Sequence, residues 1–289
     1  MWLYASRWTI IAASAVSLLL LLWAATGRNP FVELFGALRN LWRDNRFRLA
    51  LGAALALCLI DRAETSLDPH FTRMVPWDFT YEVSRVGADL LLALQRLEWA
   101  PLTHGLTFVY VILWTVFMLL SLIVYVSRND WEALKRLLTA YMLNYAVALP
   151  FYAFVPVKEA WAANMGIRFL IPTVYPRFEV DVRPYSGLDN CFPSLHTSLA
   201  LTYALVAWRN GYRRLAIVLT AGAGLVMLST LYLGVHWVID MAAGVLLAVA
   251  ASGYLPSLAP TTWSPSTAVA TGPGQAGSRR PAGPHRSSP

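Results

Sequence analysis

Charge is scarce in this chain. Only 13% of its 289 residues are Asp, Glu, Lys or Arg, whereas 57% are hydrophobic and the mean hydropathy is +0.50. That balance excludes a soluble domain of this length and predicts an integral membrane protein. Cysteine is nearly absent too. Cys58 and Cys191 are the only two, too few for a disulfide framework, although a single bridge between them is left open. No CxxC pair and no Cys/His ligand cluster stands in the sequence, so no metal and no cofactor is implied. A repeat of the solenoid type is missing as well. The net charge of +7 would point to nucleic acid in a soluble protein. Here most of the Lys and Arg surplus lies in loops between apolar runs, so the pattern is topological and no nucleic-acid partner is predicted.

What is present is length of apolar sequence. A hydrocarbon core of about 30 Å takes roughly 20 apolar residues per helical span. Seven stretches qualify: 8–25, 47–60, 105–127, 137–157, 193–209, 214–233 and 236–255, of which 47–60 is the shortest. The reading is therefore an all-α, polytopic transmembrane helical bundle of six to seven spans. Residues 1–104 supply N-terminal transmembrane helices and an amphipathic segment, 105–257 a catalytic transmembrane core, and 258–289 a tail. "YEVSRVGADLLLALQRLEWA", residues 81–100, carries apolar residues at helical spacing beside charges and reads as an interfacial amphipathic helix. The tail is rich in Pro, Gly, Ser and Thr and is predicted to be disordered.

Five arginines (Arg28, Arg39, Arg43, Arg46 and Arg48) follow the first run against only Arg7 before it. The run is also longer than a signal-peptide core, which favours a retained anchor with its amino terminus outside. Carried along seven spans, the positive-inside rule puts 28–46, 128–136, 209–214 and the tail in the cytoplasm. It puts 61–104, 158–192 and 234–235 on the outer face. The expected localisation is the plasma membrane, with the site facing the extracytoplasmic side.

This topology brings "CFPSLH" (191–196) and "STLYLGVHWVID" (229–240) to one membrane face. Pro193 is suited to the first helical position. The amides of Ser194, Leu195 and His196 would then lie free at the positive end of the helix, a ready anion site. His196 can hold a proton for the leaving oxygen of a phosphate ester. The plainer alternative is a helix start with an interfacial histidine. His236 and Asp240, four apart, would share a helix face. The carboxylate can take one ring N–H and leave the other nitrogen as nucleophile. An Asp inside a span needs a partner, since its burial costs on the order of 2.5–3.5 kcal/mol at the bilayer centre. A merely structural His–Asp tie is the alternative here.

Phosphate also asks for cations. The loop 158–192 holds Lys158, Arg168, Arg177 and Arg183, and arginine's planar fork matches phosphate oxygens two at a time. Arg183, ten residues before Pro193, is the first candidate and Lys158 the second. Solvated or headgroup-paired loop cations are the competing explanation. Gly222, Gly224 and Gly244 lie within spans, where small residues permit close helix packing. The twelve Trp and thirteen Tyr residues read as interfacial anchors.

At these residues the chain resembles the type 2 phosphatidic acid phosphatase superfamily. The membrane members of that superfamily share Lys-x6-Arg-Pro, Pro-Ser-Gly-His and Ser-Arg-x5-His-x3-Asp. The second signature stands here as "PSLH" (193–196), and the third keeps Ser229, His236 and Asp240 in register. The resemblance covers about 150–255. It implies that His236 attacks phosphorus and forms a phosphohistidine, that Asp240 orients it, and that His196 protonates the leaving group. Ser194, Leu195, Arg183, Lys158, Arg177, Ser229 and Thr230 would surround the phosphate. Two departures stand out. Thr230 replaces the arginine of the third signature. In the first, Arg183–Pro184 keeps the Arg-Pro pair, but Pro176 occupies the lysine position and Arg177 follows it.

"FPSLH" with "TLYLGVHWVIDMAAG" looks like the inositol phosphorylceramide synthase-like branch, whose members lack that arginine and transfer a headgroup between lipids. The implied partners are a membrane lipid phosphate and an acceptor, either water or an alcohol, which the same residues serve equally. Two rival classes differ in kind: a proton-coupled transporter, which would show repeated halves and broken helices, and a non-enzymatic membrane scaffold. Metal catalysis would need clustered carboxylates that the sequence does not show.

Overall fold

The computed structural model describes residues 4, 6–57, 59, 75–185 and 187–254. No β-strand occurs among the described residues, beyond a lone bridge pairing Val157 with Asn190. Seven helices build the scaffold: α1 (Arg7–Thr26), α2 (Pro30–Arg43), α3 (Ala100–Ser127), α4 (Trp131–Phe154), α5 (Leu195–Arg209), α6 (Arg213–Tyr232) and α7 (Val238–Ala251). Residues 45–57 are also helical. The expected span 47–60 runs past the described residues, and the tail 258–289 lies wholly outside them.

Four helices, α1, α3, α4 and α6, are long and apolar enough to cross a membrane. Large apolar side chains face outward, with Leu20 61% and Leu246 71% exposed. That arrangement is unfavourable in water and natural against lipid tails. The chain is an integral membrane protein. The two helices that carry the signature motifs are shorter than the sequence suggested. At 15 and 14 residues, α5 and α7 span only about 21–23 Å at 1.5 Å per residue. The reason is local: Ser194 caps α5 at the depth of the site, and residues 233–237 form a bonded turn before α7 begins. Val235 N and His236 N in that turn both donate to the Thr230 carbonyl, at 2.9 and 3.2 Å.

Two further expectations are corrected. Residues 81–100 do not form one amphipathic helix. They break into Thr80–Ser84 and Ala88–Gln95, and Ala100 already begins α3. The break falls at Gly87, whose backbone is left-handed (φ 91°) and whose missing Cβ leaves room for Val238. The arginine-rich stretch 28–46, expected as a loop, contains α2. Asn29 Oδ1 caps it by accepting from Phe31 N at 2.9 Å, and Pro30 occupies the first turn. Glu33, Ala37 and Asn40 recur on its buried face. Glu33 pairs with Arg128 at 2.9 Å, and Asn40 donates to the Val126 carbonyl at 2.8 Å.

The core that joins α3 to α6 centres on Leu120, Leu134, Leu199 and Leu219, all buried. A tight turn at 210–212 makes α5 and α6 antiparallel, so the start of α5, the end of α6 and the start of α7 meet at one end of the bundle. Helix α7 closes on α5 at Gly244. A Cβ there would stand 2.6 Å from the Ser194 carbonyl oxygen and 3.1 Å from Thr197 Cβ. Gly222 likewise makes room for the Phe117 ring, whereas Gly224 has open space around it. The expected close packing holds at two of the three glycines. Gly244→Ala is expected to destabilise the protein by about 1–3 kcal/mol, because backbone and not a flexible side chain must yield. A thermal melt in detergent, read beside Gly224→Ala as the neutral control, measures it.

Candidate active site

Ser194 stands as the N-cap of α5, with its Oγ accepting from Thr197 N at 3.2 Å. The helix therefore starts at Leu195, two residues after Pro193. The sequence pattern predicts Pro193 at the first helical position and free amides from Ser194 on. Instead Ser194 N donates to the Asp240 carbonyl at 3.1 Å, and the Ser194 side chain is fully buried. The amides of Leu195 and His196 occupy the first two helical positions, which have no intrahelical acceptor.

His236 is not on the face of α7. It lies in the turn two residues before that helix, and Asp240 at its third position reaches back. Asp240 Oδ2 accepts from Trp237 N at 2.9 Å and lies 3.5 Å from His236 Nδ1. The spacing of four works through this reach-back rather than through helical periodicity. Among the described residues, Nδ1 of His236 and Oδ1 of Asp240 are both buried with no partner within hydrogen-bond distance. A buried carboxylate is costly without compensation, and Trp237 N–H and the His236 ring supply it. With Nδ1 of His236 carrying its proton toward Asp240, Nε2 keeps the lone pair.

His196 Nδ1 lies 3.2 Å from that Nε2. Two motifs forty residues apart thus meet ring to ring. The His196 ring is clamped by aromatic residues of the type that the sequence pattern marks as interfacial anchors. Tyr110 stacks on it with centroids 4.6 Å apart and planes at 23°, and Trp114 stands at 4.6 Å and 41°. Both rings come from α3, where residues Val109–Leu113 form a π-helical turn. Such turns re-aim side chains and gather at functional sites. The only sequence signal was a Tyr and a Trp four apart deep inside an apolar run.

A cavity of about 300 Å³ opens on these rings, lined by Tyr110, Trp114, Glu159, Cys191, Leu195, His196 and His236 among others. None of the expected cations lines it. Lys158 Nζ pairs with Asp78 at 2.7 Å, half exposed, while its carbonyl accepts from Trp237 Nε1 at 2.9 Å. Burial pulls the Asp78 carboxyl upward, but hydrogen bonds from Lys158 and Thr80 together outweigh it and hold the carboxyl below its usual range. Arg177 pairs with Asp181 at 3.1 Å. Arg183 is enclosed by the rings of Trp161, Phe169 and Phe178 and pairs with Glu159 at 2.8 Å and Glu179 at 3.2 Å. Burial opposes its charge, but the two carboxylates outweigh burial and hold the guanidinium above its ordinary range. Glu159, which also accepts from Trp161 Nε1, stands between Arg183 and the cavity. Ser229 and Thr230 are buried and donate to the Val226 and Met227 carbonyls at 2.7 and 2.9 Å. Both hydroxyls are thus turned into their own helix.

The bridge left open by the sequence falls on Cys58, which lies outside the described residues. Cys191 is a buried thiol. Burial first, then the Asp240 and Glu159 charges, push its ionisation well above the ordinary thiol range. It sits with His236 and Asp240 in a cluster whose ligand atoms lie within 4.8 Å of one another. No reading of the linear sequence showed that grouping, because Cys191 precedes His236 by 45 positions.

A family model described as the PAP2 superfamily matches residues 84–254. No curated protein and no solved structure matches the chain.

Proposed function

The chain belongs to the PAP2 superfamily, whose members act on phosphate esters, and from that premise we propose a membrane-embedded phosphotransferase or phosphoesterase that works through a phosphohistidine on His236. The observation that carries the reading is the 3.2 Å approach of His196 Nδ1 to His236 Nε2, with Asp240 behind Nδ1 of His236. Nε2 attacks phosphorus and the bond from phosphorus to the leaving oxygen breaks as His196 gives that oxygen a proton. Water or an alcohol then gives a proton back to His196, attacks phosphorus, and frees His236. Asp240 holds Nδ1–H and stabilises the imidazolium that forms. The Leu195 and His196 amides at the positive end of α5 receive the phosphate oxygens.

At 3.2 Å the two rings touch each other and leave no room for phosphorus. In-line contacts of about 3–3.5 Å on each side of the reacting centre require them to part. Substrate binding therefore moves one ring, and the turn before α7 is the freer of the two supports, since His196 is clamped between Tyr110 and Trp114.

A lining with no Lys or Arg among the described residues suits a phosphate of low charge. A diester brings one negative charge and a monoester close to two, and each uncompensated charge in a low-dielectric cavity is costly. This favours headgroup transfer from a phosphodiester lipid, in the manner of inositol phosphorylceramide synthase, over hydrolysis of phosphatidic acid. Purified protein is expected to turn over phosphatidylinositol with a long-chain alcohol acceptor at least tenfold faster than it releases phosphate from phosphatidic acid. Faster release from phosphatidic acid would reverse the assignment. The site is assigned to the extracytoplasmic face. Leu188, exposed in the loop before Cys191, gives the test: a cysteine there is expected to react with an impermeant thiol reagent on intact cells. Reaction only after lysis would invert the topology.

A further inference from the structure

We propose that Cys191, His236 and Asp240 form an inhibitory site for a thiophilic divalent cation of the zinc class, which holds His236 in the tautomer that cannot attack phosphorus. The three residues are buried together, each offering one ligand atom, and these atoms lie within 4.8 Å of one another. Two polar atoms of the cluster, His236 Nδ1 and Asp240 Oδ1, are buried with no hydrogen-bond partner among the described residues, Nδ1 standing 3.5 Å from Asp240 Oδ2. Among the described residues, Cys191 Sγ makes one weak contact, 3.5 Å to the Val235 carbonyl. Cys191 and His236 line the cavity, so a cation reaches them from the same side as substrate.

The donor set selects the ion. A thiolate, an imidazole and a carboxylate are zinc-type ligands in a three-plus-one arrangement, whereas magnesium and calcium require oxygen shells. Bonds of about 2.0–2.3 Å bring tetrahedral donors to roughly 3.3–3.8 Å apart. The cluster therefore closes by about 1 Å through side-chain rotation. One thiolate and one carboxylate cancel the double positive charge, which makes the loaded site neutral and compatible with burial.

Inhibition follows from proton placement, and this half rests on the phosphohistidine reading above. A neutral imidazole has one N–H and one lone pair. When the Nδ1 lone pair binds the cation, the ring proton resides on Nε2, and the nucleophile is gone. The proton of the Cys191 thiol leaves to solvent, so each cation bound releases one proton and affinity falls as pH falls.

Cadmium serves as the probe because its thiolate bond absorbs in the ultraviolet. Full-length protein in detergent, freed of metals by chelator, is titrated with Cd²⁺ alone, and absorbance and turnover are followed in parallel. The expected result is a charge-transfer band saturating at one equivalent, with turnover falling in step. Cys191→Ser and Cys191→Ala are expected to lose the band and to need at least tenfold more Cd²⁺ for half inhibition, each measured against its own metal-free rate. Cys58→Ser is expected to behave like the unaltered protein. Absence of the band, or a band that survives in both Cys191 variants, overturns the site. A band without inhibition overturns the tautomer lock. The band is read without substrate, so its appearance in a protein that turns over no lipid refutes the enzymatic reading and upholds the cation site.

Discussion

His236→Ala is expected to lower turnover by a factor on the order of 10⁴–10⁶, as removal of a covalent nucleophile does elsewhere. No other described residue around the cavity replaces it. The Cys191 thiol is neutral and buried, Ser229 and Thr230 are bonded into α6, and His196 is held between two rings with its Nδ1 facing the vacated space. The truncation removes a ring that is 4% exposed, so stability is to be measured beside rate. A melting point near that of the parent protein separates lost chemistry from lost fold. Added imidazole, which fits the space left by the ring, is expected to restore part of the activity. A His236→Ala protein that keeps a tenth or more of the parental rate contradicts the nucleophilic role.

His196→Ala is expected to lose activity in a way that depends on the leaving group. A general acid contributes about 10²–10⁴-fold when the departing oxygen is a poor leaving group such as an alkoxide. A nitrophenolate departs without that help, so nitrophenyl phosphodiesters are expected to react at rates within about tenfold of the parent protein. The steep loss on lipid and the shallow loss on nitrophenyl ester are read from the same preparation. Equal losses on both would mean that His196 shapes the site without donating a proton. Trp114→Ala separates the two cases further. It unclamps the ring and leaves the acid in place, so it is expected to weaken turnover on lipid and keep its dependence on leaving-group strength smaller than that of His196→Ala.

The histidines and the aspartate were legible in the sequence because they sit in short motifs with fixed spacing. The meeting of His196 with His236 followed from counting helices between them. The count itself was less secure than the meeting. Helices α5 and α7 fall short of full spans, yet the tight turn at 210–212 still returns the chain to the same end of the bundle. The expected cations stand away from the cavity for a physical reason. A loop arginine in sequence carries no record of the carboxylate it will meet, and Arg183 meets Glu159 and Glu179 before any phosphate. Glu159 itself carried no signal, being one acid in a loop. Tyr110 and Trp114 were hidden by their type, since aromatic residues in apolar runs are ordinarily anchors, and only the π-helical turn of α3 aims both at His196. Helix α2 had a legible start at Asn29–Pro30 and a buried stripe at Glu33, Ala37 and Asn40. Reading its arginines for topology alone concealed it.

The covalent intermediate is the most direct measurement of the central claim. Purified protein is mixed with phosphatidylinositol or phosphatidic acid radiolabelled at phosphorus, quenched within the first turnover, and digested. The account predicts label on one peptide, at His236, stable in base, lost in mild acid, and absent from His236→Ala. Label on any other residue, or full turnover with no protein-bound phosphorus at any quench time, contradicts it.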